Sequence, residues 1–294
     1  MEVALREITL VLFTTLAPCG AISFVLGSIV LLFFKLQPAT AIRFTQFLIL
    51  PLLISILGLI ASATHLGSPS NALYAFGGIG RSPLSNEVAA AVVFLFISGT
   101  YWLASFSNRV PKLAERIWLI AASLSALVFI HFVAFAYATH TIITWDTLYS
   151  VVILWTLALT GGALLCLLSI TATRLFVMRV DKQQGQPLSR YCLVLLAISL
   201  ASFLASMVVL LQQMEFFATT GNSYGSALEQ FPWYELFLIL YAFCIAVGLA
   251  LAALPFIRKG KLDAAYTLAG TVFVLLGVFL TRFLFYATHM TSGL

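Results

Sequence analysis

Long runs of apolar residues alternate along the chain with short polar breaks. A helix needs about 20 mostly apolar residues to cross the hydrocarbon core of a bilayer. Eight stretches meet that requirement, at roughly 8–34, 44–64, 87–107, 117–138, 148–173, 191–217, 233–256 and 265–289. Together they occupy nearly the whole sequence, which predicts one domain, 1–294: an all-α integral membrane protein with eight transmembrane helices. Composition agrees, since 62% of the 294 residues are hydrophobic and only 9% charged, against about 25% charged in soluble domains. The opening Met1-Glu2-Val3-Ala4-Leu5-Arg6-Glu7 lacks the basic flank of a secretory signal, and the apolar run behind it is too long for one. It is therefore expected to persist as the first spanning helix.

Charge then orients the helices. The loops after the first, third, fifth and seventh stretches hold Lys35, Arg43, Arg109, Lys112, Arg116, Arg174, Arg179, Lys182, Arg190, Arg258, Lys259 and Lys261, which is 12 of the 15 basic residues. Only Arg6, Arg81 and Arg282 lie on the other side. The positive-inside rule makes the first set cytoplasmic, so both termini are expected on the outer side of the membrane. The net charge of +5 is thus a topology signal. It does not point to nucleic acid, because the basic residues sit in short separate loops without a long basic run. Acids show the reverse bias: Glu2, Glu7, Glu87, Asp146, Glu215, Glu229 and Glu235 fall outside or near the outer surface. Such a face suits a docking protein, and a solvated surface explains it equally well.

Cys19, Cys166, Cys192 and Cys244 stand on four different stretches with no C-x-x-C spacing, so neither an iron–sulfur cluster nor a metal site is expected in this chain. They read as small buried hydrophobes. His65, His131, His140 and His289 all belong to the outer half. Two b haems stacked across the membrane would need inner ligands that the chain lacks, so no haem is expected. A single outer haem held by two of His65, His131 and His289 is the lesser reading. The tripeptide Ala-Thr-His recurs at 63–65, 138–140 and 287–289, but three residues do not establish a repeat.

Three groups carry chemistry. His65 ends the second stretch and is followed by Gly67 and Pro69, which read as a helix stop. Glu87 follows Ser85 and Asn86, both good N-cap residues, so a first-turn carboxylate favoured by the helix dipole is its plain explanation. Arg282, Tyr286 and His289, spaced i, i+4, i+7, form one polar stripe on the last helix; snorkelling and the aromatic belt are its plain explanation. An imidazole, a carboxylate, an arginine and a tyrosine at one membrane edge fit a quinol head group, whose hydroxyls need hydrogen-bond partners and whose oxidation releases two protons.

The segment Ala63-Thr64-His65-Leu66-Gly67-Ser68-Pro69, with Leu84-Ser85-Asn86-Glu87, closely resembles the membrane-anchor subunit family of anaerobic dimethyl sulfoxide reductases, DmsC. Arg282, Phe285, Tyr286, His289 and Met290 match that family's closing motif, and Thr144-Trp145 falls where it has Thr-Trp. The likeness spans essentially the whole chain. It implies a haem-free anchor that oxidises menaquinol to menaquinone near the periplasmic face. It also implies an iron–sulfur electron-transfer subunit and a molybdopterin catalytic subunit as partners, reducing sulfoxides or N-oxides in anaerobic respiration. His65 and Glu87 match the family's quinol-site positions, and Arg282, Tyr286 and His289 its last-helix motif. His131 departs from the pattern and is expected to be a core histidine. Two alternatives stand beside this reading: the same anchor run in reverse as a quinone reductase, and a small transporter. The helix centres carry no acid, whereas transporter sites lie near the midplane.

Overall fold

The computed structural model describes residues 2–65, 69–107, 110–138, 140–177, 186–260 and 262–291. The proposed helix stop at Gly67 and the loop cations Arg109, Arg179, Lys182 and Lys261 lie outside the described residues. Within them the protein forms α1 (Glu2–Arg6), α2 (Ile8–Phe33), α3 (Pro38–Phe47), α4 (Ile49–Thr64), α5 (Pro83–Ala104), α6 (Lys112–Ala136), α7 (Leu148–Val177), α8 (Gln186–Thr219), α9 (Ala227–Gln230), α10 (Tyr234–Lys259) and α11 (Ala264–Ala287). With α3 and α4 counted as one broken span, eight helical segments are long and apolar enough to cross a membrane.

Several boundaries differ from the periodicity reading, and three of them have a clear local reason. The second span starts at Pro38 and breaks at Leu48. Pro51 has no N–H for the Phe47 carbonyl four residues back, so the ladder cannot run through. The third span starts at Pro83 with Ser82 as its cap, its hydroxyl accepting from the Ser85 N–H. Glu87 therefore lies in the second turn, where the dipole no longer accounts for it. The last helix ends at Ala287, leaving His289 beyond the regular stripe. The outer segment before the seventh span is not wholly irregular: β1 (Gly221–Asn222) and β2 (Gly225–Ser226) form a short antiparallel hairpin, and Ser226 and Glu229 close a capping box on α9.

Helices α2 and α7 form the centre. Of their apolar stretches 67% and 72% are buried, against 22% for α8. α4, α6 and α11 pack on α2; α8 and α11 pack on α7; and α5–α6 and α10–α11 are adjacent pairs. Lipid tails are as apolar as leucine, so helices in a bilayer associate by close packing and interhelical hydrogen bonds. Small residues supply the first. A Cβ on Gly162 of α7 would stand 2.8 Å from the Cys19 carbonyl of α2. Hydroxyls supply the second: Ser55 donates to the Ala17 carbonyl (3.1 Å), Ser199 to that of Thr160 (2.9 Å), and Tyr191 to that of Leu26 (2.7 Å). The start of α2 meets the end of α11, and the end of α3 meets that of α7, so the outgoing and returning helices alternate. Among the described residues, Glu2 and Thr291 lie at one end of the bundle, and Lys35 and Lys112 lie at the other.

His131 is exposed on α6, its ring beside Phe135 at 4.6 Å. This corrects the core reading: α6 turns Ile130, Val133 and Ala134 inward, and about 100° per residue carries His131 to the outer surface.

Where α10 crosses α11, a Cβ on Gly270 would lie 2.5 Å from the Gly248 carbonyl. Gly270→Ala should cost about 1–3 kcal/mol, seen as a lower unfolding midpoint in detergent. Gly99→Ala, with open space around it, should leave the midpoint unchanged or higher.

Candidate functional site

The terminal end of the bundle gathers most of the polar candidates. Arg282 on α11 is 1% exposed. Its Nε donates to the Thr14 hydroxyl of α2 at 3.0 Å. Its guanidinium carbon lies 4.2 Å from the Phe285 ring centre, 5.7 Å from that of Tyr286 and 5.9 Å from that of Tyr137, within cation–π range. Its Nη2 is buried without a hydrogen-bond partner of good geometry, while the Tyr286 hydroxyl lies within hydrogen-bonding reach of Tyr137, Thr14 and Arg282. Pro18 shapes this place too, because it withholds the amide that would bond the Thr14 carbonyl.

Glu87, 4% exposed, faces the same cluster from α5. The phenols of Tyr137 and Tyr286 lie within electrostatic reach of both Glu87 and Arg282. Carboxylate and guanidinium thus flank a pair of phenols. Loss of hydration pushes the Tyr137 phenol well above its usual range, Tyr286 and Glu87 push it further, and Arg282 opposes them. Tyr137 is therefore a protonated donor at neutral pH. Trp145 walls the cluster: it stacks on Phe285 at 4.8 Å, donates from Nε1 to the Phe285 carbonyl at 2.9 Å, and meets the His289 ring edge-on at 5.1 Å. Thr144 beside it accepts from the Met290 amide at 3.2 Å, which ties the C-terminal segment to this wall.

His65 stands apart from Glu87. Its Nε2 pairs with the Glu7 carboxylate at 3.2 Å, and its side chain is 41% exposed. Glu7 nevertheless connects it to the cluster. Glu7, Val11 and Thr14 follow i, i+4, i+7 down one face of α2, spanning about 10 Å, and Val11 packs among Trp145, Phe285 and Tyr286. The structure therefore brings Glu87, Arg282 and Tyr286 together, sets His289 on the aromatic wall, and places His65 at the rim. The Ala-Thr-His ends do unrelated work: His65 meets Glu7, His140 pairs with Asp146, and His289 meets Trp145. Sequence reasoning missed Glu7 and Thr14 as members of the site. Their seven-residue spacing, matching that of Arg282 and His289, was the available signal. Tyr137 carried no such signal, because it lies past the end of α6 and only the fold turns it inward. Among the described residues no group of three or more potential metal ligands forms.

Residues 1–288 match the family model described as "DMSO reductase anchor subunit (DmsC)". The protein belongs to that family. It is 27% identical over 289 residues to the YnfH subunit of an anaerobic dimethyl sulfoxide reductase of Escherichia coli (strain K12), covering 98% of this sequence and 97% of that one. It is 28% identical over 292 residues to the C subunit of anaerobic dimethyl sulfoxide reductase from the same organism, with the same coverage. The corresponding C subunit of Haemophilus influenzae (strain ATCC 51907 / DSM 11121 / KW20 / Rd) is 34% identical over 147 residues, half of this sequence and 52% of that one. This DmsC-type protein is accordingly a multi-pass membrane anchor subunit of the dimethyl sulfoxide reductase family, and the family implies a complex with reductase subunits and a place in respiratory electron transport.

Thr14→Val keeps the shape of the side chain but leaves the buried Arg282 Nε–H without its acceptor. We expect a loss of about 1–3 kcal/mol in unfolding free energy, with Thr14→Ser near wild type, measured by denaturant titration in micelles.

Proposed function

We propose that the terminal-end cluster is a menaquinol-oxidising site and that this subunit passes the electrons to an iron–sulfur subunit, which serves a molybdopterin catalytic subunit. The observation that carries the reading is the array of buried Glu87, Tyr286 and Arg282 with half-buried Tyr137, in which Arg282 Nη2 lacks an acceptor of good geometry. A buried unsatisfied donor is costly, and a ring oxygen of a quinol or quinone would satisfy Arg282 Nη2. The aromatic wall of Trp145 and Phe285 suits a flat ring. An open groove of about 320 Å³ between α5 and α6 passes Asn86, Ala90 and Phe132 and offers an apolar path for an isoprenoid tail beside Glu87.

Oxidation of one quinol releases two electrons and two protons. Glu87, buried and without an ion-pair partner among the described residues, accepts a proton at its carboxylate. Arg282 and the phenols of Tyr137 and Tyr286 orient the head group and hold its oxygens. The Glu7–His65 pair at the rim hands protons on to bulk water, the task for which an imidazole is suited near neutral pH. The partner's clusters supply the electron acceptor. By the positive-inside rule this end faces the periplasm, so protons and electrons leave on one side and the step moves no net charge across the membrane.

In the assembled complex, Glu87→Gln should lower quinol-driven sulfoxide reduction about 100-fold. Reduction driven by an artificial donor that bypasses the anchor should be unchanged. Wild-type quinol oxidation in this variant would overturn the assignment. Proteoliposomes with the oxidised substrate outside should develop no quinol-driven membrane potential.

A further inference from the structure

The chain past α11 is sewn to the loop that joins α6 to α7. Ile142 and Thr291 form an isolated antiparallel bridge. The Ile143 amide donates to the Met290 carbonyl at 3.1 Å, and the Met290 amide donates to the Thr144 hydroxyl at 3.2 Å. Thr144 and Met290 are both buried. Beside this strap, Trp145 closes the end of α11. The last four carbonyls of a helix have no partner within it. That of Phe285 is one of them, and it accepts from the Trp145 indole at 2.9 Å. The indole also lies on the Phe285 ring, centre to centre at 4.8 Å and 18° from parallel. The same Phe285 ring meets Arg282, whose guanidinium carbon stands over it at 4.2 Å.

These contacts decide where Arg282 points. The hydrogen bond from Nε to Thr14 fixes one atom of the guanidinium, and the Phe285 face beneath it fixes the tilt of the plane. Together they aim Nη2, the donor without an acceptor of good geometry. An arginine held by the one hydrogen bond alone could turn that nitrogen away. On the menaquinol reading of this cluster, on which the inference rests, we propose that Thr144 is a positioning residue of the quinol site. The strap at Met290 sets Trp145, Trp145 sets Phe285, and Phe285 sets the direction in which Arg282 Nη2 meets a quinol oxygen.

The test uses the assembled complex, with quinol-driven turnover normalised to turnover from an artificial donor that bypasses the anchor. That ratio cancels any loss of assembled enzyme, which is all that a merely structural role would produce. Thr144→Val keeps the shape of the side chain and leaves the Met290 amide without its acceptor. It should raise the quinol KM about fivefold, the effect of one neutral hydrogen bond. Normalised kcat should not change, because the lost binding is common to ground and transition states. Thr144→Ser should keep the wild-type KM. Trp145→Phe retains a ring for stacking and removes the indole donor; it should raise KM similarly, and it carries the test if Thr144→Val fails to assemble. In a Phe285→Leu background Thr144→Val should add nothing, since the ring through which it acts is gone. A wild-type KM in Thr144→Val and Trp145→Phe, or additivity with Phe285→Leu, would overturn the positioning role even with Glu87→Gln inactive toward quinol. Undiminished quinol oxidation by Glu87→Gln would overturn the menaquinol reading and the positioning role with it.

Discussion

A guanidinium enclosed by helices is the constraint around which the terminal end of this anchor is arranged. Removing a cation from water is costly unless other groups replace its hydration. Around Arg282 the replacements are the hydroxyls of Thr14 and Tyr286 and three aromatic rings, with no carboxylate in ion-pair contact among the described residues. That choice requires Thr14 of α2 to lie against α11, requires Tyr137 to fold inward past the end of α6, and requires Trp145 to cover Phe285. It also leaves donor capacity unused at Nη2. A full set of protein partners would have made Arg282 a structural strut; an incomplete set suits a site that receives an oxygen from outside the subunit.

Helices α2 and α7 make such placement dependable. Their small residues bring backbones into contact, and hydroxyls spend their hydrogen bonds on neighbouring carbonyls, so the centre of the bundle is closely packed. Chemistry is displaced to the helix ends, where Pro18 and the break at Glu7 loosen α2 and where helix caps leave polar groups to be arranged. The two ends have different characters. One holds a buried cation, a buried carboxylate and phenols behind an aromatic wall; the other holds an open crevice between α3, α5 and α6 lined by Lys112 and Glu115.

The role of Glu87 illustrates how a local explanation can fail. Read with Ser85 or Asn86 as the cap, it is an ordinary first-turn acid. The helix starts at Pro83 because Ser82 caps it, and Asn86 instead accepts from the Gly80 amide at 2.7 Å. The dipole explanation weakens, and the buried carboxylate is left facing the two phenols. His131 runs the other way: a departure from the family pattern that turns out to lie on the outer surface of α6.

Hydrophobic run length and the distribution of basic residues determined eight spanning segments and their alternation, because a bilayer demands about 20 apolar residues per crossing and leaves little freedom in order. The motifs around His65 and Glu87 and on the last helix determined the family. Spacing alone put Arg282 and Tyr286 on one face. Only the tertiary structure decided what that face meets. Which helices touch depends on side-chain packing between segments far apart in sequence, so Thr14 beneath Arg282, Glu7 beside His65, and Tyr137 between Glu87 and Arg282 had no one-dimensional signature strong enough to find them.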